Sequence, residues 1–441
     1  MTTSSPATTT PDPTWPLWQR LLFRLFFAYL ILQIAPWGWL RLVPFTQYVL
    51  RYWYQLVRWA VFFANDHFLH VRDKLLLPNG SGDTSYGWAQ IWLYCYLAAI
   101  AAVAWSVLDR KRAHYERLSL WLRMIVRYYV ATAALSYGII KLFALQMVFP
   151  SLSQLATPLG DFLPMRFSWL FIGYSTPYQM FAGVAETTAG LLLLYRPTIT
   201  AGLFVAMGAF VNVVMYNLDY DVPVKIYSMH LLFCCLFLLA MDYKRLISFF
   251  LLNQATPGTT AWAWNYTRPW QRWLSRVAKA YLVWLVLISP LQSSYARWLE
   301  AKKPTDGGPF RVGVYDVKRY VVNRDTIAVS SADTLRWKDV IFDTRRSGSV
   351  NTTDPMFWQR YRRGYFLYKP DTVAHTVAVW RSSFALDSTF LFNMKYEVPD
   401  TNTIQLRTLI HGDSLLVELA RTNRHFQLTE RQFHWLSEYN R

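Results

Sequence analysis

The chain has 441 residues, 54% of them apolar and 17% aromatic, and a formal net charge of +18. Soluble domains average about 45–50% apolar by a count that includes Gly, so the distribution matters more than the total. The basic excess is +13 over residues 1–299 and +5 over 300–441, a placement that points to membrane topology and anionic headgroups and argues against nucleic acid as a partner.

Residues 1–16, rich in Thr, Ser and Pro, lack the basic start and small-residue cleavage site of a signal peptide and read as a disordered tail. Apolar runs follow at 21–40, 88–108, 128–148, 178–195, 198–218, 226–241 and 280–296, each close to the ~20 residues that cross a bilayer. Beyond about residue 300 no such run occurs. The expected fold is a polytopic α-helical membrane bundle of about seven transmembrane helices over 17–299, followed by an extracytoplasmic β-rich domain over 300–441. Residues 44–63 carry Arg51 and Arg58, seven apart on one helical face. This segment reads as an amphipathic helix lying in the interface, with an eighth span as the alternative.

Charge sets the orientation. The basic loop Asp109–Arg117 belongs in the cytoplasm, and Arg196, Lys244, Arg245, Arg268, Arg272, Arg276 and Lys279 agree with it. Residues 146–177 and 217–225 then fall outside, and the carboxy-terminal domain reaches the periplasm of a bacterial inner membrane. Arg41, Arg51 and Arg58 run against this rule.

Within the apolar runs two opposite charges stand out, Lys141 in Tyr-Gly-Ile-Ile-Lys and Glu186 in FAGVAETTAGLLLL. A buried charge in a membrane needs a partner and marks a candidate site. Tyr137 precedes Lys141 by four residues on the same face, and Gly183 and Gly190 share the face of Glu186, which permits close helix approach. Asn212, Asp221, Lys225 and His230 fall on the same outward side, as does the loop Asn79–Thr84, whose Asp83 or Thr84 suits a helix N-cap. The candidate catalytic set is Lys141, Glu186 and His230; the candidate binding set is Tyr137, Asn212, Asp221, Lys225 and Asp83. A structural ion pair is the competing reading of Lys141 with Glu186, since buried charges need partners for solvation alone. Loop capping is the competing reading of the aspartates. Three cysteines, Cys95, Cys234 and Cys235, form no CxxC, which speaks against disulfide exchange and structural metal, so no metal ligand set is read.

The carboxy-terminal region shows period-two alternation, clearest where Phe390, Phe392, Met394 and Tyr396 face one way and Leu391, Asn393, Lys395 and Glu397 the other. Strands are expected at Arg311–Val322, Arg336–Phe342, Tyr361–Tyr368, Thr372–Trp380, Thr403–Ile410 and Leu415–Leu419, with a hairpin at His411–Ser414. They make a small antiparallel β-barrel or β-sandwich. Thr429 and Gln432 form a capping-box pattern for a final helix that buries Phe433 and Leu436.

The segments LSYGIIKL at 135–142, GVAETTAGLLLLYRP at 183–197, NLDYDVPVKIYSMHLL at 217–232 and PNGSGDTSYGWAQ at 78–90 resemble the DoxX family of bacterial membrane proteins. They look like its long, two-part members of Bacteroidetes type, with a β-rich extension. The resemblance implies an inner-membrane protein linked to sulfur-compound or quinone redox complexes, with a quinone as candidate ligand; the lack of paired cysteines weighs against thiol chemistry. A more distant similarity joins Gly138-Ile-Ile-Lys141-Leu142 to the Gly-x-x-Lys-Leu segment of vitamin K-dependent γ-glutamyl carboxylase, which would make Lys141 a base. Three functions are therefore expected in competition: a non-catalytic protein acting with an envelope partner or lipophilic ligand, a membrane enzyme on a quinone or other lipophilic substrate, and a proton-coupled transporter.

Overall fold

A computed structural model gives residues 14–43, 45–256, 268–303, 308–330, 333–381, 389–410, 412–430, 433–436 and 438. They divide into two compact units, one of residues 1–145 and 179–296, the other of 146–178 and 297–441.

The first unit is helical. Its elements are α1 (Leu17–Ile34), α2 (Thr46–Ala64), α3 (Ser85–Leu108) and α4 (Glu116–Leu142). In the second unit the chain forms α5 (Leu152–Leu155) and α6 (Pro164–Tyr174). It returns through α7 (Thr176–Leu194), α8 (Ile199–Asp219), α9 (Lys225–Ala240), α10 (Tyr243–Phe250), α11 (Pro269–Val283) and α12 (Ser289–Lys302). Six of the seven apolar runs fall largely on one of these helices each, and the last, 280–296, runs from the end of α11 into α12. Among the described residues, four segments are long and apolar enough to cross a membrane: Leu17–Arg41, Ser85–Leu108, Arg196–Asp219 and Pro269–Lys302. The pair α9 and α10, bent by 77°, adds a fifth if counted as one span. The expected count of about seven is thus not reached by this measure. α4 carries Glu116, Arg117, Arg123, Arg127 and Lys141, and α7 carries Glu186 among threonines, so their polar content lowers their mean hydropathy.

α2 buries Leu50, Val57, Val61 and Ala64 along one stripe while Arg51 and Arg58 stay exposed, the pattern of an amphipathic helix. It is not among the four apolar segments. α11 and α12 are joined through a π-helical turn at Trp284–Ile288 just before Pro290, whose missing N–H cannot continue the regular ladder. Around α4 the core of this unit is made by Leu122, Val126, Val130 and Ala134 against Leu193, Leu203, Phe210 and Leu238.

Among the described residues the second unit contains ten strands: β1 (Gly313–Val322), β2 (Asp325–Thr326), β3 (Asp339–Phe342), β4 (Ser347–Val350), β5 (Trp358–Arg360), β6 (Arg363–Asp371), β7 (Thr376–Arg381), β8 (Thr389–Asp400), β9 (Thr403–Ile410) and β10 (Asp413–Thr422). Eight of them, β1-β3-β4-β6-β7-β8-β9-β10, pair antiparallel, and β10 closes on β1. Of the two expected architectures the closed barrel is the one formed. Its interior is filled by side chains, among them Phe310, Phe342, Phe357, Phe366 and Tyr396.

Two details differ from the sequence reading. Phe390 is exposed, whereas Phe392, Met394 and Tyr396 are buried. Val379 pairs with Phe392 and Trp380 with Phe390, so Leu391 is an extra residue in β8, and a bulge of this kind turns the residue before it to the other face. Among the described residues the expected final helix is a single turn, Gln427–Glu430. Phe433 and Leu436 are exposed outside any helix, so they bury no inner face; Gln432 and His411 lie outside the described residues.

Residues 146–178, read from sequence as a loop between spans, fold with the barrel. Ser153 donates its backbone N–H to Asp343 (3.1 Å), Ser349 donates its hydroxyl to Ser153 Oγ (2.9 Å), and Arg166 donates to Tyr361 Oη (2.9 Å). Arg363 pairs with Asp339 and donates to Ser349 Oγ (3.0 Å). Ser153, Ser349, Arg363, Asp339 and Asp343 are all buried, so these groups satisfy one another in place of water.

Candidate functional site

The structure brings Lys141 and Glu186 together. The Lys141 ammonium donates to both Glu186 oxygens, each at 2.7 Å, and the two residues are 7% and 4% exposed. Lys141 sits in the last turn of α4, where a cation also meets the partial negative charge of the helix end. The run expected to continue to residue 148 ends there because Ala144 takes a left-handed conformation (φ 52°).

The helices meet because glycine lines the crossing. A Cβ on Gly183 would lie 2.8 Å from the Gly138 carbonyl oxygen and 2.8 Å from the Leu142 nitrogen, and one on Gly190 would lie 2.5 Å from Leu135 Cγ. No larger residue allows this approach without moving backbone.

From the ion pair, aromatic contacts run across α4, α9 and α1. The Lys141 Nζ is 5.6 Å from the Tyr137 ring centroid. Tyr137 lies 6.1 Å from Tyr227, Tyr227 6.4 Å from Tyr129, and Tyr129 5.6 Å from His230, which is 5.9 Å from Tyr29. His230 Nε2 is 3.5 Å from Cys234 Sγ. Tyr227, Tyr129 and Tyr29 were absent from the sequence-derived site. Only the three-residue step between Tyr227 and His230 on α9 could have pointed to the first of them.

His230 also lines a cavity of about 550 Å³ between α1, α3 and α9, with Phe26, Tyr29, Trp88, Cys95 and Phe233 among its walls. Trp88, Met229 and Cys95 are exposed, so this cavity reaches the surface of the unit.

Asp83, Asp221 and Lys225 form a second cluster. Asp83 accepts the backbone N–H groups of Lys225 (2.8 Å) and Ile226 (3.0 Å) at the start of α9, and Lys225 Nζ lies 2.6 Å from Asp221 and 3.8 Å from Asp83. Thr84, not Asp83, caps α3, accepting from the Gly87 N–H at 3.3 Å. An aspartate from one loop thus caps a helix 142 residues away in sequence, using the partial positive charge of its first turn. Asn212 joins neither cluster and is exposed. Asn217, five residues further along α8, is buried and donates to Ser228 Oγ at 2.9 Å, because that step rotates a side chain about 140° around the helix.

No protein-family model matches the chain, and no solved structure matches it. It is 37% identical over 83 residues to "Uncharacterized protein YwoB" of Bacillus subtilis (strain 168), a stretch that is 19% of this chain and 54% of that protein. The chain therefore spans about half the length of that relative, whose name assigns it no activity.

Proposed function

We propose that this chain is a DoxX-like protein of the bacterial inner membrane, its barrel on the periplasmic side, that holds a lipophilic molecule with a quinone-type polar head between α1, α3 and α9. The observation that carries this reading is the apolar cavity of about 550 Å³ with His230 in its wall. Its size lies within the ~300–1,000 Å³ of small-molecule sites, where few polar groups among aromatic walls fix orientation. A head-group oxygen would accept a hydrogen bond from His230 or Tyr29, and Trp88 and Phe233 would flank the ring or tail. A quinone supplies two-electron chemistry when bound; the residues of this chain bind it, orient it and keep water from its ring.

In this reading Lys141 and Glu186 clamp α4 to α7. A lysine acts as a base when desolvation is not answered by a counterion, whereas both oxygens of a carboxylate face this ammonium. Lys141 lines neither this cavity nor the second large cavity of the helical unit.

The test is mass spectrometry of the organic extract from purified full-length protein, beside a Cys95→Trp variant that fills the cavity. A quinone-class molecule near one per chain in the wild type, lost from a variant that unfolds at the same temperature, supports the proposal. A wild-type extract no richer in such molecules than that of an unrelated helical membrane protein in the same detergent ends it.

A further inference from the structure

A second cavity in the helical unit, about 400 Å³, lies among α4, the α7–α8 turn and α11 and gathers three cations, Arg127, Arg196 and Lys279. Arg127 is only 4% exposed, and its guanidinium carbon lies 4.6 Å from the Tyr128 ring centroid. The three lie close enough to repel one another: Arg196 acts on both Arg127 and Lys279, and Arg127 on Lys279. Among the described residues that line the cavity there is no carboxylate. Its remaining walls are largely apolar, with Trp39, Trp121 and Trp270 prominent. Like charges that converge on one apolar-walled cavity repel one another and favour an anion placed between them.

We propose that this cavity binds the phosphate headgroup of an anionic phospholipid, with its acyl chains along the tryptophan-lined wall. Arginine forks match phosphate oxygens in pairs, and Lys279 adds a mobile point charge at the exposed edge. The apolar walls select a lipid over a soluble phosphate, because a free anion would leave them wetted. Basic pockets between membrane helices hold anionic headgroups by this combination. The site is separate from the His230 cavity: it shares no lining residue with it, and its test does not depend on quinone binding.

Native mass spectrometry of the full-length protein with added phosphatidylglycerol or phosphatidylcholine tests it. Arg196→Gln/Lys279→Gln leaves the buried Arg127 in place, and Lys244→Gln/Arg276→Gln removes the same charge outside the cavity. The wild type and the control double variant should bind phosphatidylglycerol alike and in preference to phosphatidylcholine, and the cavity variant should lose affinity by about thirtyfold for the two charges together. Equal binding of the two lipids, or a cavity variant that matches the control, overturns the proposal. Displacement of phosphatidylglycerol by millimolar inorganic phosphate also overturns it, since the site would then be one for a soluble anion.

Discussion

Replacing Lys141 with Met leaves the Glu186 carboxylate facing an apolar side chain, and replacing Glu186 with Leu strands the ammonium. At 2.7 Å two unit charges attract by about 6 kcal/mol at an effective dielectric near 20. Removing both ions from water costs a comparable amount, so the pair contributes little net stability. Breaking it from one side is different: the surviving ion keeps its desolvation cost, and each single variant should lose about 3–5 kcal/mol. The double variant, Lys141→Met/Glu186→Leu, should recover most of that loss, giving a coupling energy of at least about 2 kcal/mol in the double-mutant cycle. Reversible unfolding in detergent, followed by far-UV circular dichroism, reads the four corners. Single variants within about 1 kcal/mol of wild type, or losses that simply add in the double variant, would refute the clamp.

Gly183→Ala places a methyl 2.8 Å from two backbone atoms of α4 and should cost about 1–3 kcal/mol as overpacking; unchanged unfolding would contradict the close crossing. Asp83→Ala removes the cap of α9 and should cost about 1–2 kcal/mol, with faster hydrogen exchange at the Lys225 and Ile226 amides as its local signature. In the barrel, Asp339→Ala leaves Arg363, 2% exposed, without its carboxylate and should cost about 3–5 kcal/mol, seen as a lower unfolding temperature of the full chain. Backbone N–H groups of Ala374 and then Val373 hold the Asp371 carboxyl below its ordinary value of 3.8. Its stabilisation is present above that value and lost as pH falls through the lower folded-state value. Asp371→Ala should therefore lower the unfolding temperature at neutral pH, and the gap from wild type should close in acid. A gap that stays constant would be the contrary result.

What the sequence made legible follows from which signals are local. Lys141 and Glu186 stood out because charge in an apolar run is costly and demands a partner, and they are partners. The end of α4 did not stand out: Phe143–Val148 is largely apolar, and apolar composition does not say where a left-handed residue stops a helix. Asp83 was placed near a cap but assigned to the adjacent helix, since local spacing cannot reveal a cap supplied across 142 residues. β4, Ser347-Gly-Ser-Val350, carries almost no apolar alternation, and its small residues answer to packing. A Cβ on Gly348 would lie 2.6 Å from the Ile341 carbonyl oxygen, a neighbour known only once the barrel is closed. The recruitment of residues 146–178 into the barrel unit rests on Ser153, Asp343 and Ser349 meeting, which no periodicity encodes.

The most direct measurement of the central claim is photolabelling of the full-length protein in bilayers with a short-chain azido-quinone, followed by mapping of the adducts. Saturable labelling is expected, confined to 25–29, 88–98 and 226–233, the segments that wall the His230 cavity, and it should be lost in Cys95→Trp. Adducts spread over the exposed faces of many helices, or concentrated on α4 and α7 around Lys141, would contradict it.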